Sequence, residues 1–175
     1  YKDFYYLMNQ QNLLDNDNKI IIENAPLKNK WNYYFHKIKD NNWDLESYQL
    51  LYTFDNIRDY WKLYNNHPYH IIGLFFLMRD NIAPMWEDKE NINGGTYSFK
   101  IQKNNIEKAW IEISSAVIGE TLIKENEFVT GLSIHPKYNC FIIKIWVKCE
   151  LTEAISNLKL DFFDPNMEIY KKNII

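Results

Sequence analysis

Asn104–Lys148 reads NNIEKAWIEISSAVIGETLIKENEFVTGLSIHPKYNCFIIKIWVK. From about Ile106 to Gly119 it carries the clearest helix signal in the chain, with Asn104 or Asn105 as cap and Glu107 and Glu112 on the polar side. Two strand-like runs follow, Phe128 to Ile134 and Cys140 to Lys148, joined across a loop containing Pro136 and Asn139.

Working outward, Asn91–Thr96 (NINGGT) is a turn and Tyr97–Gln102 a strand. His70–Arg79 reads as a buried strand. Asp55 is placed to cap a helix from Asn56 to Asn65, where Ile57, Tyr60, Trp61 and Tyr64 recur at i, i+3, i+4 and i+7. Trp31–Lys37 (WNYYFHK) and Tyr48–Phe54 (YQLLYTF) alternate like strands. Downstream, a short helix is expected over Glu153–Leu160 and a closing strand over Glu168–Lys172. Residues 1–25, rich in Asn, Asp and Gln, read as a mobile arm with a short helix near Phe4–Leu14. No internal repeat is visible, and residues 26–175 form one expected domain. Helices interrupting a strand set give an α+β class: a curved, mostly antiparallel sheet with about three helices on its convex face.

A chain of 175 residues has room for one real core, and 46% apolar with 25% charged residues is ordinary for a globular protein. The longest apolar run, Ile71–Met78, is far too short for a membrane span, and Tyr1–Gln10 does not resemble a signal peptide. Cys140 and Cys149 lie in apolar alternating sequence and are expected as buried free thiols, which suits a reducing cytoplasm. The net charge of −3 argues against a general nucleic-acid binder, which needs a basic surface. An RNA ligand would have to be read through a small, specific feature. Arg58 and Arg79 are the only arginines; with abundant Asn, Ile and Tyr, this fits AT-rich coding, as in giant DNA viruses or some protists.

The segment Ile82–Tyr97, IAPMWEDKENINGGTY, concentrates the chemistry. Pro84 and Gly94-Gly95 mark irregular backbone, yet Trp86 stands there with Glu87 beside it. The same letters also fit a core tryptophan next to a surface acid. A loop tryptophan beside a carboxylate is, however, what a flat, donor-rich, cationic ring requires. Methylation at N7 makes guanine such a ring: it gains a cation–π term on indole, and its N1–H and N2–H edge donates more strongly to a carboxylate. A hydrolase reading rests on His67 and His70, which could join Glu87 or Asp88 around a metal ion, although the pair sits where a loop enters a strand. The chain shows no glycine-rich phosphate loop, zinc-spaced cysteine set or nucleophile motif, so no cofactor and no catalytic residue is expected.

PMWED with its following GG turn resembles the cap-slot loop of the eukaryotic translation initiation factor 4E family. PLKNKW at Pro26–Trp31, FDNIRDYWKLYN at Phe54–Asn65, WIEISSAVIGE at Trp110–Glu120 and IIKIWVK at Ile142–Lys148 resemble further motifs of that family, in its order. All six tryptophans fall at family-like positions, and the likeness runs from about Pro26 to Lys172. The resemblance implies a non-enzymatic protein that binds the 7-methylguanosine cap of mRNA in a slot on the concave face of the sheet. Trp43 and Trp86 would sandwich the base, Glu87 and the Trp86 backbone N–H would hold it, and Trp146 would pack near the N7-methyl group. The phosphate end departs from the family pattern. His135 and Thr96 stand where arginines are expected, leaving His135, Lys137 and Lys144 as available cations. The chain ends soon after Tyr170, so the family's C-terminal loop over the cap is expected to be short or missing.

The resemblance also implies a partner face around Trp61, with Pro26, Ile57, Ile111, Glu112 and Gly119, for a helix carrying a YxxxxLφ motif from a scaffold initiation factor. Ala25, Arg58 and Ser115 replace a histidine, an acid and a leucine there, which keeps open a cap-binding repressor with an altered partner.

Overall fold

The computed structural model describes residues 25–66, 73–151 and 169–173. The expected arm up to residue 24, the first residues of the His70–Arg79 strand, the helix over Glu153–Leu160 and the pair His67 and His70 lie outside them.

Seven strands form one sheet: β1 (Pro26–Lys37), β2 (Gln49–Asn56), β3 (Gly73–Arg79), β4 (Gly95–Gln102), β5 (Val129–Pro136), β6 (Cys140–Val147) and β7 (Ile169–Lys172). Their order is β2-β1-β3-β5-β6-β4-β7, and every neighbouring pair is antiparallel. Among the described residues there are two α-helices, α1 (Ile57–Asn65) and α2 (Ile106–Ile118). The α+β class holds with two described helices rather than about three.

Strand alternation sorts the residues onto two faces. On β3, Phe75 and Leu77 join Trp31, Tyr33, Leu132, Ile143 and the buried side of α2 in the main core. Leu74, Phe76 and Met78 point the other way and pack with Tyr48, Ile82 and Trp146. A central strand with both faces covered therefore reads as the continuous apolar run GLFFLM. The face without helices is the open face.

Helix α2 buries Ile106, Ala109, Trp110, Ile113 and Val117 against the sheet. A short 3-10 turn, Lys103–Asn105, leads into it, and neither expected asparagine caps it through its side chain. Its last turn closes with Thr121 N–H on the Ala116 carbonyl and Glu120 N–H on that of Val117. The left-handed residue of this ending is Glu120, at φ 53°, and not Gly119. Helix α1 is capped by the Asn56 side chain, which accepts from Asp59 N–H, and not by Asp55. Tyr60, its one fully buried residue, reaches Ser114 Oγ at 2.8 Å and ties the two helices together.

The left-handed Glu120 is held by charge. Its carboxylate takes hydrogen bonds from Lys28 Nζ, Asn29 Nδ2 and Arg79 Nη1. Arg79 also donates to the Val129 and Asn126 carbonyls and lies over the Trp31 ring. The N-terminal part of β1, the end of β3 and the end of α2 thus meet on one carboxylate. Burial pushes the Glu120 carboxyl up, but the hydrogen bonds and charges of Lys28 and Arg79 outweigh it and hold it below the usual carboxylate range.

Candidate functional site

On the open face a cavity of about 390 Å³ is lined by Trp43, Tyr48, Phe76, Pro84, Met85, Trp86, Glu87, His135, Lys144 and Trp146. Six of the seven residues expected at the slot, all but Lys137, stand on this wall.

Trp43 projects from the β1–β2 connection, where short polar side chains shape the backbone. Asn42 N–H donates to Asp40 Oδ1, and Asp44 N–H donates to Asn42 Oδ1. His36, fully buried at the end of β1, holds the Asn42 carbonyl through Nε2 at 2.8 Å. Its ring stacks on Trp43 with centroids 4.3 Å apart and planes 4° from parallel. One indole face is thereby covered, and the residue as a whole stays 50% exposed. The other ring nitrogen, Nδ1, is buried with no partner among the described residues.

Trp86 is carried by the loop between β3 and β4, which a polar scaffold holds rigid. Asp88 accepts from Ala83 N–H and Glu90 N–H, while Asn91 Nδ2 donates to the Ala83 and Met85 carbonyls. Asn173, just past β7, donates to the Asn91 carbonyl through Nδ2 and to the Gly94 carbonyl through its backbone N–H. Gly94 makes the close approach possible: a Cβ there would lie 1.8 Å from the Val147 carbonyl oxygen. Held this way, Trp86 remains 37% exposed, and the Lys171 ammonium sits 5.5 Å from its ring centroid. Glu87 is exposed; burial and then its negative charge push the Tyr48 hydroxyl far above its usual range.

Trp146 belongs to the floor. It is 3% exposed, with its ring against Phe76 and its Nε1–H on Ser133 Oγ at 2.9 Å. Ser133 Oγ in turn meets His135 Nε2 at 2.9 Å, the tautomer of the imidazole setting which of the two donates. Burial first, then the charges of Lys144, Lys137 and His36, drive His135 down to about 3. It brings polarity to the cavity and no charge at neutral pH. Lys144 supplies the cationic wall, its pKa lowered by burial and by Lys171 and Lys137. Lys137 stands exposed on the β5–β6 hairpin, off the cavity lining. The site is polarised, with a carboxylate beside the Trp86 loop and lysines across β6 and β7.

The second expected set lies on the helix face. Pro26 pairs with Asn56, and Ile57 N–H donates to the Ala25 carbonyl, so the start of β1 touches the start of α1. Trp61 is half-buried between Tyr60 and Tyr64, both at 5.3 Å, and its indole N–H is buried with no partner among the described residues. Ile111, Glu112 and Gly119 are half-exposed along α2. Cys140 and Cys149 are free and half-buried, not fully buried. Among the described residues no three His, Cys, Asp or Glu side chains converge as a metal site, and no helix is long and apolar enough to cross a membrane.

Sequence reasoning missed His36, the Asp88–Asn91–Asn173 brace and Lys171. His36 was findable: in WNYYFHK, alternation puts it with Asn32 and Tyr34, opposite Trp31, Tyr33 and Phe35.

The family model described as Eukaryotic initiation factor 4E matches residues 26–172. Initiation factor 4E of Homo sapiens is 29% identical over 143 residues, covering 76% of this chain and 65% of that one. The 4E-1 factor of Caenorhabditis elegans is 31% identical over 132 residues, covering 70% and 62%. The chain therefore spans less than two thirds of the length of these relatives. Among solved structures, C. elegans eIF4E-3 in complex with the 4E-binding protein Mextli and a cap analog superposes with a TM-score of 0.75 at 21% identity, over 85% of this chain and 92% of that one. Schistosome eIF4E complexed with m7GpppG and 4E-BP gives 0.67 at 21% identity, over 74% and 75%. With the open antiparallel sheet, the helix pair on one face and the match over residues 26–172, the chain belongs to the eukaryotic initiation factor 4E family.

Proposed function

We propose that residues 26–175 form a cap-binding domain that recruits mRNA for translation initiation by gripping its 7-methylguanosine cap, without catalysing a reaction on it. The observation that carries this reading is the pair of exposed indoles, Trp43 and Trp86, on the wall of one cavity with Glu87 beside them and Trp146 on the floor. Two large apolar rings left open on separately braced loops suit a flat ligand between them. Glu87 accepts the N1–H and N2–H edge, the Trp86 backbone N–H meets the base carbonyl, and Trp146 packs by the methyl group. Lys144 and Lys137 draw the phosphates, with His135 lending neutral polarity. The named relatives and the bound states of the similar structures support the assignment.

The Trp61 face, with Pro26, Ile57, Ile111, Glu112 and Gly119, docks a YxxxxLφ-like helix from a scaffold initiation factor or repressor. The site of action is the cytoplasm. Titration of tryptophan fluorescence with 7-methyl-GTP and with GTP tests the slot. The expected result is quenching at least tenfold tighter for the methylated nucleotide, since a cation–π term of about 2 kcal/mol separates the two bases in a desolvated site. Equal affinities overturn the reading.

A further inference from the structure

Thr96 stands on β4 where the family resemblance calls for an arginine. In the sheet it pairs with Trp146 on one side and with Lys171 of β7 on the other. Directly paired residues share a face, so Lys171 belongs to the same row of the open face as Trp146. Asn173 locks the end of β7 to the Trp86 loop through its two hydrogen bonds. The Lys171 ammonium consequently lies over the Trp86 ring, at 5.5 Å. Lys171 stands at the rim, off the cavity lining, its charge reaches Lys144 on the wall, and neither lysine is paired with a carboxylate among the described residues.

We propose, on the cap-binding reading above, that Lys171 makes the slot discriminate its ligands by phosphate number. The ammonium draws on the charge of the Trp86 ring on which a methylated base stacks, and it repels that cationic base. Toward the nucleoside alone, Lys171 is therefore neutral or a hindrance. Toward a triphosphate it is an unpaired donor beside a strongly anionic chain, supplying from β7 the charge that Thr96 lacks. One residue thereby widens the gap between the two ligands from both sides.

The test titrates wild type, K171M and K171R with 7-methylguanosine and with 7-methyl-GTP by tryptophan quenching, at two salt concentrations. K171M is expected to weaken 7-methyl-GTP by about three- to tenfold, the worth of one partly exposed charged contact. It leaves 7-methylguanosine unchanged or tighter, makes the salt dependence of triphosphate binding shallower, and K171R restores the ratio. Parallel weakening of both ligands would assign Lys171 a merely structural role and overturn the proposal, as would an unchanged ratio. A wild-type protein with no preference for methylated base overturns the cap-binding reading and this inference together. A wild type that prefers it, with an unaltered ratio in K171M, overturns this inference alone.

Discussion

Replacing Trp43 by alanine separates recognition from folding, because its contribution to each can be worked out from its surroundings. An indole side chain presents roughly 250 Å² when free. Trp43 is 50% exposed and Trp86 37%. About 125 Å² and 90 Å² are then open, and covering them at about 25 cal/mol per Å² yields about 3 and 2 kcal/mol. These figures sit in the range of about 1–3 kcal/mol for stacking one base on one aromatic ring. The expected losses in 7-methyl-GTP affinity are therefore about 100-fold for W43A and about 30-fold for W86A, at roughly 1.4 kcal/mol per factor of ten. The stability cost of W43A is modest, since the ring's main partner in the fold is the His36 ring on one side. Fluorescence titration gives the affinities, with isothermal calorimetry as a check because each variant loses a reporter indole; thermal unfolding gives the stability. A W43A protein that folds normally and binds 7-methyl-GTP within threefold of wild type would refute the sandwich. A variant that has unfolded says nothing of stacking, in which case Trp43→Phe, which keeps a ring on His36, carries the comparison.

E87Q should cost about tenfold or more in affinity for 7-methyl-GTP, the price of a charge-assisted hydrogen-bond pair, with thermal stability unchanged because Glu87 is exposed. E120Q should lower unfolding stability in urea by about 2–3 kcal/mol, below the roughly 3–5 of a fully orphaned buried charge because Arg79 keeps two carbonyls and the Trp31 ring. The Glu120 carboxyl is held below its unfolded value, so its contribution is present above the ordinary carboxylate pKa and is lost as pH falls through the folded one. His135, lowered from 6.5 to about 3, works in the same direction by the opposite route. Between those values the unfolded chain takes up a proton that the folded chain refuses, so stability drops as the pH is lowered, and H135Q should flatten that limb in urea titrations from pH 7 to 4. W61A should abolish capture of a YxxxxLφ peptide in pull-downs while 7-methyl-GTP quenching persists; retained capture would move the partner site elsewhere.

What the sequence made legible was whatever depends on near neighbours. Helix α2 follows from its apolar spacing, and β3 from its unbroken apolar run. The loop Trp86–Glu87 stands out because a large ring beside Pro84 and Gly94-Gly95 is unusual in irregular backbone, although the letters alone also fitted a core tryptophan. The errors arose where local rules compete. Asp55 and Asn56 are both good caps, and pairing of Asn56 with Pro26 carries the strand one residue past Asp55, leaving the cap to Asn56. β1 begins at Pro26, before the aromatic alternation of Trp31–Lys37, because backbone pairing and not apolar pattern decides where an edge region ends. The left-handed Glu120 after α2 had no signal in its neighbours, since the three donors on its carboxylate come from remote parts of the chain. Lys171 could not be placed beside Trp86 without knowing that the chain's last described strand pairs with β4.

The junction at Glu120 also bears on how long the native state lasts. Its partners are remote in the chain: Lys28 is 92 positions away and Arg79 41. Such contacts need β1, β3 and α2 to be docked, so the expectation is that they are absent from a folding nucleus built on nearer pairings such as the β5–β6 hairpin. Cutting the junction by E120Q should then leave the refolding rate almost untouched and speed unfolding by the full stability loss, about 30- to 150-fold for 2–3 kcal/mol. The carboxylate acts as a latch thrown last, setting the half-life of the folded chain and having little say in how fast it forms.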